Sequence, residues 1–142
     1  MDMTRIAVVG AGGRMGRNLI NAIAESGRAE LSGALEREGS PHVGADCGVL
    51  AGLEPNGVKV SASFDEAFAG ADAVLDFTAP AATVTIASHA ADRGIVQVIG
   101  TTGLSPDDED AIAEAAKRTA IVQSGNMSMG VILLSVLVEE AA

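Results

Sequence analysis

An α/β fold, a doubly wound parallel sheet of about six strands with helices on both faces, is predicted by three features of the chain. Six short apolar runs alternate with segments of helical periodicity. The first run, Ile6 to Val9, passes straight into the cluster Gly10-Ala11-Gly12-Gly13-Arg14-Met15-Gly16, with a helical pattern opening behind it. Three later strand ends carry small or polar residues: Phe77-Thr78, Gly100-Thr101-Thr102 and Ser124-Gly125-Asn126-Met127. Ligands of such sheets bind outside the carboxyl ends of the strands, so these segments are expected to converge on one edge.

The glycine cluster carries the chemistry. A buried strand that hands over to a helix through glycines is the Rossmann-type arrangement for a dinucleotide. A Cβ at Gly10 or Gly12 would hold the backbone away from a pyrophosphate. The free N–H groups and positive dipole end of the following helix attract that anion. The spacing reads G-x-G-G-x-x-G, because Met15 stands where a strict G-x-G-x-x-G has its third glycine. Gly16 lies one helical turn after Gly12, where a missing side chain would let the helix lie close to the sheet. The second run, Ala29 to Leu35, ends at Glu36, twenty residues beyond Gly16. A carboxylate there can accept hydrogen bonds from a ribose diol, and Arg37 beside it can pair with a 2′-phosphate.

The remaining elements follow in order. Met15, Leu19, Ile20, Ile23 and Ala24 repeat at helical spacing, and Gly27 ends that helix. From Gly39 to Gly57 the chain has two prolines, five glycines and no sustained period, which predicts either a functional flap or a mobile loop. Val58 to Val60 reads as a short strand, and Ser63 or Asp65 starts a short helix through Phe68. Asp72 to Phe77 is a buried strand, followed by a helix through Ala90 and Ala91 that Gly94 closes. Ile95 to Ile99 is the next strand. Ser105-Pro106-Asp107-Asp108 then combines a capping serine, a first-turn proline and acids at the positive dipole end. Ala120 to Val122 is the last strand, and an apolar helix is expected from about Met129 to the terminus.

Composition narrows the function classes. With 142 residues and 48% hydrophobic content the chain can build one real core. A net charge of −10, with three Phe and no Trp or Tyr, argues against nucleic acid and anionic membranes as partners. Arg14 and Arg37 are the local cations available to an anionic cofactor. The single cysteine, Cys47, cannot form an internal disulfide and has no ligand-spaced partner, so a reducing compartment and no metal site are expected. The start of the chain has no signal-peptide pattern, and the run Val131 to Val138 is too short to cross a bilayer. Cytoplasmic location is the expectation. His42 reads as a solvated loop residue and His89 as a helix-surface residue, neither with a catalytic partner at a telling spacing.

Taken together, the glycine cluster, Leu35-Glu36-Arg37, Asp76-Phe77-Thr78, Val98-Ile99-Gly100-Thr101-Thr102-Gly103 and Asn126-Met127-Ser128-Met129-Gly130-Val131 resemble the N-terminal domain of the dihydrodipicolinate reductases. These are NAD(P)H-dependent enzymes of lysine and diaminopimelate synthesis. The resemblance spans the whole chain and implies roles residue by residue. The segment Gly10, Ala11, Gly12, Gly13, Arg14, Met15, Gly16 would hold the pyrophosphate, Glu36 the adenosine ribose and Arg37 the 2′-phosphate of NADPH. Gly100, Thr101 and Thr102 would border the nicotinamide half, with Phe77 and Thr78 as a pocket wall. The backbone of Ser124, Gly125, Asn126 and Met127 would frame the carboxamide. Met127 stands where the family often has an aromatic residue; it fills the volume but cannot stack.

The family is roughly twice this long. Its C-terminal domain carries a His-His pair and a lysine for the substrate and most of the contacts of a homotetramer, and none of that is present in residues 1–142. The resemblance therefore implies one domain that binds NADH or NADPH without turning over substrate alone. The helix bearing Val131, Ile132, Leu133, Leu134, Val136, Leu137 and Val138 is apolar nearly all round, which suits burial either between two domains or against the sheet. Two other readings fit the fold: the cofactor domain of another two-domain dehydrogenase, such as a homoserine or aspartate-semialdehyde type, and a non-catalytic nucleotide- or CoA-sensing module. Cys47 lies in the wrong context for the semialdehyde enzymes, and a CoA sensor has no need of Glu36 at a strand end.

Overall fold

The computed structural model describes residues 2–125, 127 and 136–139. The strands are short, mostly apolar segments, and β1, β5 and β6 run directly into Gly10, Gly100 and Ser124. In chain order the elements are β1 (Thr4–Val9), α1 (Arg14–Ser26), β2 (Ala29–Leu35), α2 (Cys47–Leu50), β3 (Val60–Ser61), α3 (Phe64–Ala67), β4 (Ala73–Asp76), α4 (Pro80–Arg93), β5 (Val96–Ile99), α5 (Pro106–Ala115) and β6 (Ile121–Gln123). All strand pairs are parallel, in the order β3-β2-β1-β4-β5-β6. The order runs down to β1 and then jumps to β4, so the chain reverses its direction of winding between those two strands.

Alternation along β1 decides which helices cover which face. Ala7 and Val9 pack with Val74, Phe68, Ile86 and Ala90, which places α3 and α4 on one side. Val8 packs with Ala34, Ile20, Ile23 and Cys47, which places α1 and α2 on the other. Ile99 of β5 meets Ala87 and Ala91 of α4 and Ile112 and Ala115 of α5. Helices thus cover both faces, as the alternating pattern predicts.

Most boundaries fall within a residue or two of those expected. Gly27 and Gly94 end α1 and α4 in the left-handed conformation, at φ 63° and 66°, which glycine adopts without a Cβ penalty. Ser63 caps α3, and Ser105 forms a reciprocal capping box with Asp108 at the start of α5. The stretch from Gly39 to Gly57 has no periodicity to read, yet it is built around one side chain. Asp46 accepts the N–H groups of Gly48, Val49, Asn56 and Gly57 at 2.8–3.2 Å, and this folds the chain over α2. Cys47 next to it is fully buried. The predicted strand at Val58 to Val60 is displaced to Val60–Ser61, because Lys59 pairs back with Asp46 in an isolated antiparallel bridge. Of the terminal apolar helix, residues 136–139 are helical, with Val136, Leu137 and Val138 exposed. The rest of that helix, and Asn126, lie outside the described residues.

Candidate functional site

Strand register aligns the predicted segments. Leu35 pairs with Val9, Val9 with Asp76, Asp76 with Ile99 and Ile99 with Gln123, so five strands end on one line across the sheet. The residues that follow are Glu36, Gly10, Phe77, Gly100 and Ser124, one beside another on the carboxyl edge. The reversal between β1 and β4 falls in the middle of that edge, which is where open sheets of this kind form their ligand crevice.

The loop after β1 is tight. Gly10 takes φ 69°, its N–H bonds Leu35 O at 2.8 Å, and Gly13 N–H returns to Gly10 O at 3.0 Å. Gly13 is the N-cap of α1 and has no side chain to satisfy the first-turn N–H groups; no acidic residue stands in that turn. The amino end of α1 therefore keeps both its donors and its positive dipole end for an anion. A Cβ built on Gly16 would fall 2.1 Å from Gly10 O and 2.7 Å from Ala11 Cα. The close approach expected between helix and sheet is thus made to the loop itself, since Gly16 lies directly beneath Gly10 and Ala11. Arg14 and Met15, in the first turn of α1, are exposed.

Gly12 is held from three sides. Its N–H donates to Glu36 Oε1 at 2.8 Å, and its carbonyl accepts from Arg17 Nε at 3.0 Å. The third neighbour is the ring of His42, whose Cδ2, Cγ and Nε2 lie 2.1, 2.6 and 2.9 Å from where a Cβ of Gly12 would be. The expectation of a solvated His42 is corrected: the residue is half-buried, because the Asp46-centred fold of its loop lays the ring on the bare face of Gly12. Arg17 and His42 were not found as site residues from sequence. Arg17 had a signal in its place one turn past the glycines; His42 had none, since a loop without periodicity gives no direction to its side chains.

Beside Glu36 a cleft of about 520 Å³ opens between the end of β2 and α4, lined by Leu35, Glu36, Arg37, Phe64, Ala81 and Ile86 among others. Its floor is apolar and its rim is charged. His89, expected on the helix surface, is half-buried and stacks on Phe64, with ring centroids 3.8 Å apart and planes 9° from parallel. Its Nδ1 lies 3.3 Å from Arg93 Nη1.

On the other half of the edge, β4 and β5 end in a buried polar network. Asp76, fully buried, accepts from Thr78 Oγ1 at 2.6 Å and from Gln97 Nε2 at 3.1 Å. Thr101 Oγ1 accepts from Thr78 N–H at 3.0 Å and from Thr83 Oγ1 at 2.7 Å. The Thr101 side chain therefore points into the protein rather than along the crevice, and it sets the path of the two strand ends. Gly100 is required by packing, since a Cβ there would fall 2.0 Å from the Phe77 ring. Thr78 Cγ2 lies 3.2 Å from the Cβ position of Gly10, which joins this half to the glycine loop. Thr102 and Gly125 are exposed, Met127 is 37% exposed, and Ser124 N–H bonds Ile99 O at 3.1 Å.

Comparison with known proteins agrees with this architecture. Residues 4–127 match the sequence family described as Dihydrodipicolinate reductase, N-terminus. The 4-hydroxy-tetrahydrodipicolinate reductase of Bradyrhizobium sp. strain ORS 278 is 56% identical over all 142 residues, which cover 52% of that protein. That of Rhizobium meliloti strain 1021 is 54% identical over 138 residues, 97% of this chain and 51% of the relative. The chain thus spans about half the length of the curated relatives it matches. Among solved structures, a dipicolinate-bound dihydrodipicolinate reductase from Paenisporosarcina sp. TG-14 superposes with a TM-score of 0.73 at 20% identity, covering 93% of this chain and 51% of that one. The WlbA dehydrogenase of Bordetella pertussis, solved with NADH and UDP-GlcNAcA, gives a TM-score of 0.71 at 21% identity over 98% of this chain and 42% of that one. At these identities the two structures establish the fold. The sequence relationship establishes more: the chain belongs to the dihydrodipicolinate reductase family and corresponds to its N-terminal domain.

Proposed function

We propose that this chain is the cofactor-binding half of a 4-hydroxy-tetrahydrodipicolinate reductase and holds NADH or NADPH along the carboxyl edge of its sheet. The observation that carries the reading is the alignment of five strand ends around an α1 amino terminus with no side-chain cap. A diphosphate fits that terminus, because the N–H groups of Arg14, Met15 and Gly16 in the first turn of α1 have no side-chain cap, while Gly10, Ala11, Gly12 and Gly13 shape the turn. Glu36 would bind the adenosine ribose with the oxygen not engaged by Gly12, the apolar cleft beside it would take the adenine, and Arg37 at its rim would meet a 2′-phosphate.

Gly100, Thr101 and Thr102 would border the nicotinamide, with Phe77 and Thr78 as the wall. Ser124, Gly125, Asn126 and Met127 would frame the carboxamide. The bound cofactor supplies a hydride; the protein contributes position and exclusion of water. Reduction of a dihydrodipicolinate-type substrate in lysine and diaminopimelate synthesis, a cytoplasmic location and a homotetrameric assembly are proposed for a full-length protein. The 142-residue chain is expected to bind cofactor without turnover.

The test is a thermal-shift titration with NADH and NADPH. Ligand at a hundred times its dissociation constant adds about 2.7 kcal/mol of stability. Protection by neither cofactor refutes the reading. Arg37→Ala separates the two: NADPH affinity at low salt is expected to fall about tenfold or more, the scale of one charge-assisted hydrogen bond, with NADH unchanged. An unchanged NADPH affinity would remove Arg37 from the site.

A further inference from the structure

We infer that His42 belongs to the cofactor site and donates a hydrogen bond to a 2′-phosphate on the adenosine ribose. The inference rests on the dinucleotide reading above. Its ground is the convergence of three side chains on Gly12: the His42 ring against the face that a Cβ would occupy, Glu36 on the N–H and Arg17 on the carbonyl. The imidazole and the ribose-binding carboxylate thus flank the same buried residue, and Arg37 follows Glu36 directly.

The ring is held there by its own loop. Ala45 N–H bonds His42 O at 3.0 Å, and His42 N–H bonds Ser40 Oγ at 3.3 Å. The loop is tied to β3 through Gly44 N–H to Val60 O at 2.8 Å and Val60 N–H to Ala45 O at 2.9 Å. Cys47 sinks into the core just beyond.

The chemistry of the pair is complementary. A carboxylate only accepts hydrogen bonds, so Glu36 suits a free 2′-hydroxyl and repels a 2′-phosphate. An imidazole on the adjoining face of Gly12 can donate from a ring nitrogen, which a 2′-phosphate oxygen accepts. The charged groups meeting at Gly12 from the packed elements are Glu36 at the end of β2 and Arg17 on α1, with Arg37 adjacent; all three are retained in a His42 variant. Ionisation of the phosphate itself is likewise common to both proteins, so the ratio of their affinities isolates the imidazole.

The experiment is calorimetric binding of 2′,5′-ADP and 5′-AMP at one pH to the wild-type chain and to His42→Phe, which keeps a planar ring and removes the donor, with His42→Gln, which keeps a donor, as a second variant and thermal midpoints as the folding control. The expected result is a loss of about tenfold in 2′,5′-ADP affinity in His42→Phe, largely restored in His42→Gln, with 5′-AMP unchanged in both. Ratios near one throughout would overturn the inference and leave the nucleotide reading intact. Equal weakening of both probes would overturn it too, by showing a ring that only supports the loop. If the wild type bound neither probe, the nucleotide reading itself would fall and take this inference with it.

Discussion

Gly16→Ala tests the packing on which the glycine loop depends. In an exposed helix interior this change is stabilising by about 1 kcal/mol, because alanine loses less backbone entropy. Here the new Cβ would lie 2.1 Å from Gly10 O and 2.7 Å from Ala11 Cα, and both are backbone atoms that no rotamer change can move. Overpacking of a tight site costs about 1–3 kcal/mol, and a backbone obstacle belongs at the upper end of that range. The net effect is about 1–2 kcal/mol of destabilisation. For a domain near this size that lowers the thermal midpoint by about 3–8 °C. Asn18→Ala, at an exposed position of the same helix, reports propensity alone and is expected to raise the midpoint slightly. The assay is calorimetric or dye-monitored melting of the three proteins, followed by NADH titration, since a displaced Gly10-Ala11 turn is also expected to weaken cofactor binding. A Gly16→Ala protein as stable as Asn18→Ala, with full NADH affinity, would refute the close-approach argument.

Three further outcomes follow from the same geometry. Burial raises the Asp46 carboxyl, but the N–H groups of Asn56, Gly57, Val49 and Gly48 outweigh it and hold it below the ordinary carboxylate range. Its stabilising contribution is therefore present above that range and lost as pH falls through the lowered folded value; the stability gap between wild type and Asp46→Asn in urea unfolding should be full at pH 7 and close in acid. Burial, and then the charge of Asp46, push the Cys47 thiol up to about 11, so a thiol reagent at pH 8 should leave the native protein unmodified and react at once in denaturant. Asp76→Asn turns an amide donor toward either Thr78 Oγ1 or Gln97 Nε2, each already a donor to this group, and urea unfolding should show a loss of about 1–3 kcal/mol.

The chain's own pattern determined the alternation of six strands with helices, the covering of both sheet faces, the cap at Ser105 and the stops at Gly27 and Gly94. These are local: period, capping chemistry and left-handed glycine are decided within a turn or two of chain. The glycine spacing and Glu36 were legible for the same reason, since a strand end and a helix start leave a characteristic sequence on either side.

Tertiary structure alone decided what those residues touch. It placed the winding reversal between β1 and β4, bonded Glu36 to the Gly12 N–H across 24 positions and turned the Thr101 hydroxyl into a network with Asp76 and Thr83. It also folded an aperiodic loop around Asp46 so that His42 came to rest on Gly12. Residue periodicity encodes which face of an element is buried, but not which distant element supplies the covering atoms. That choice is made by the register of the sheet and by the hydrogen bonds its ends are forced to find.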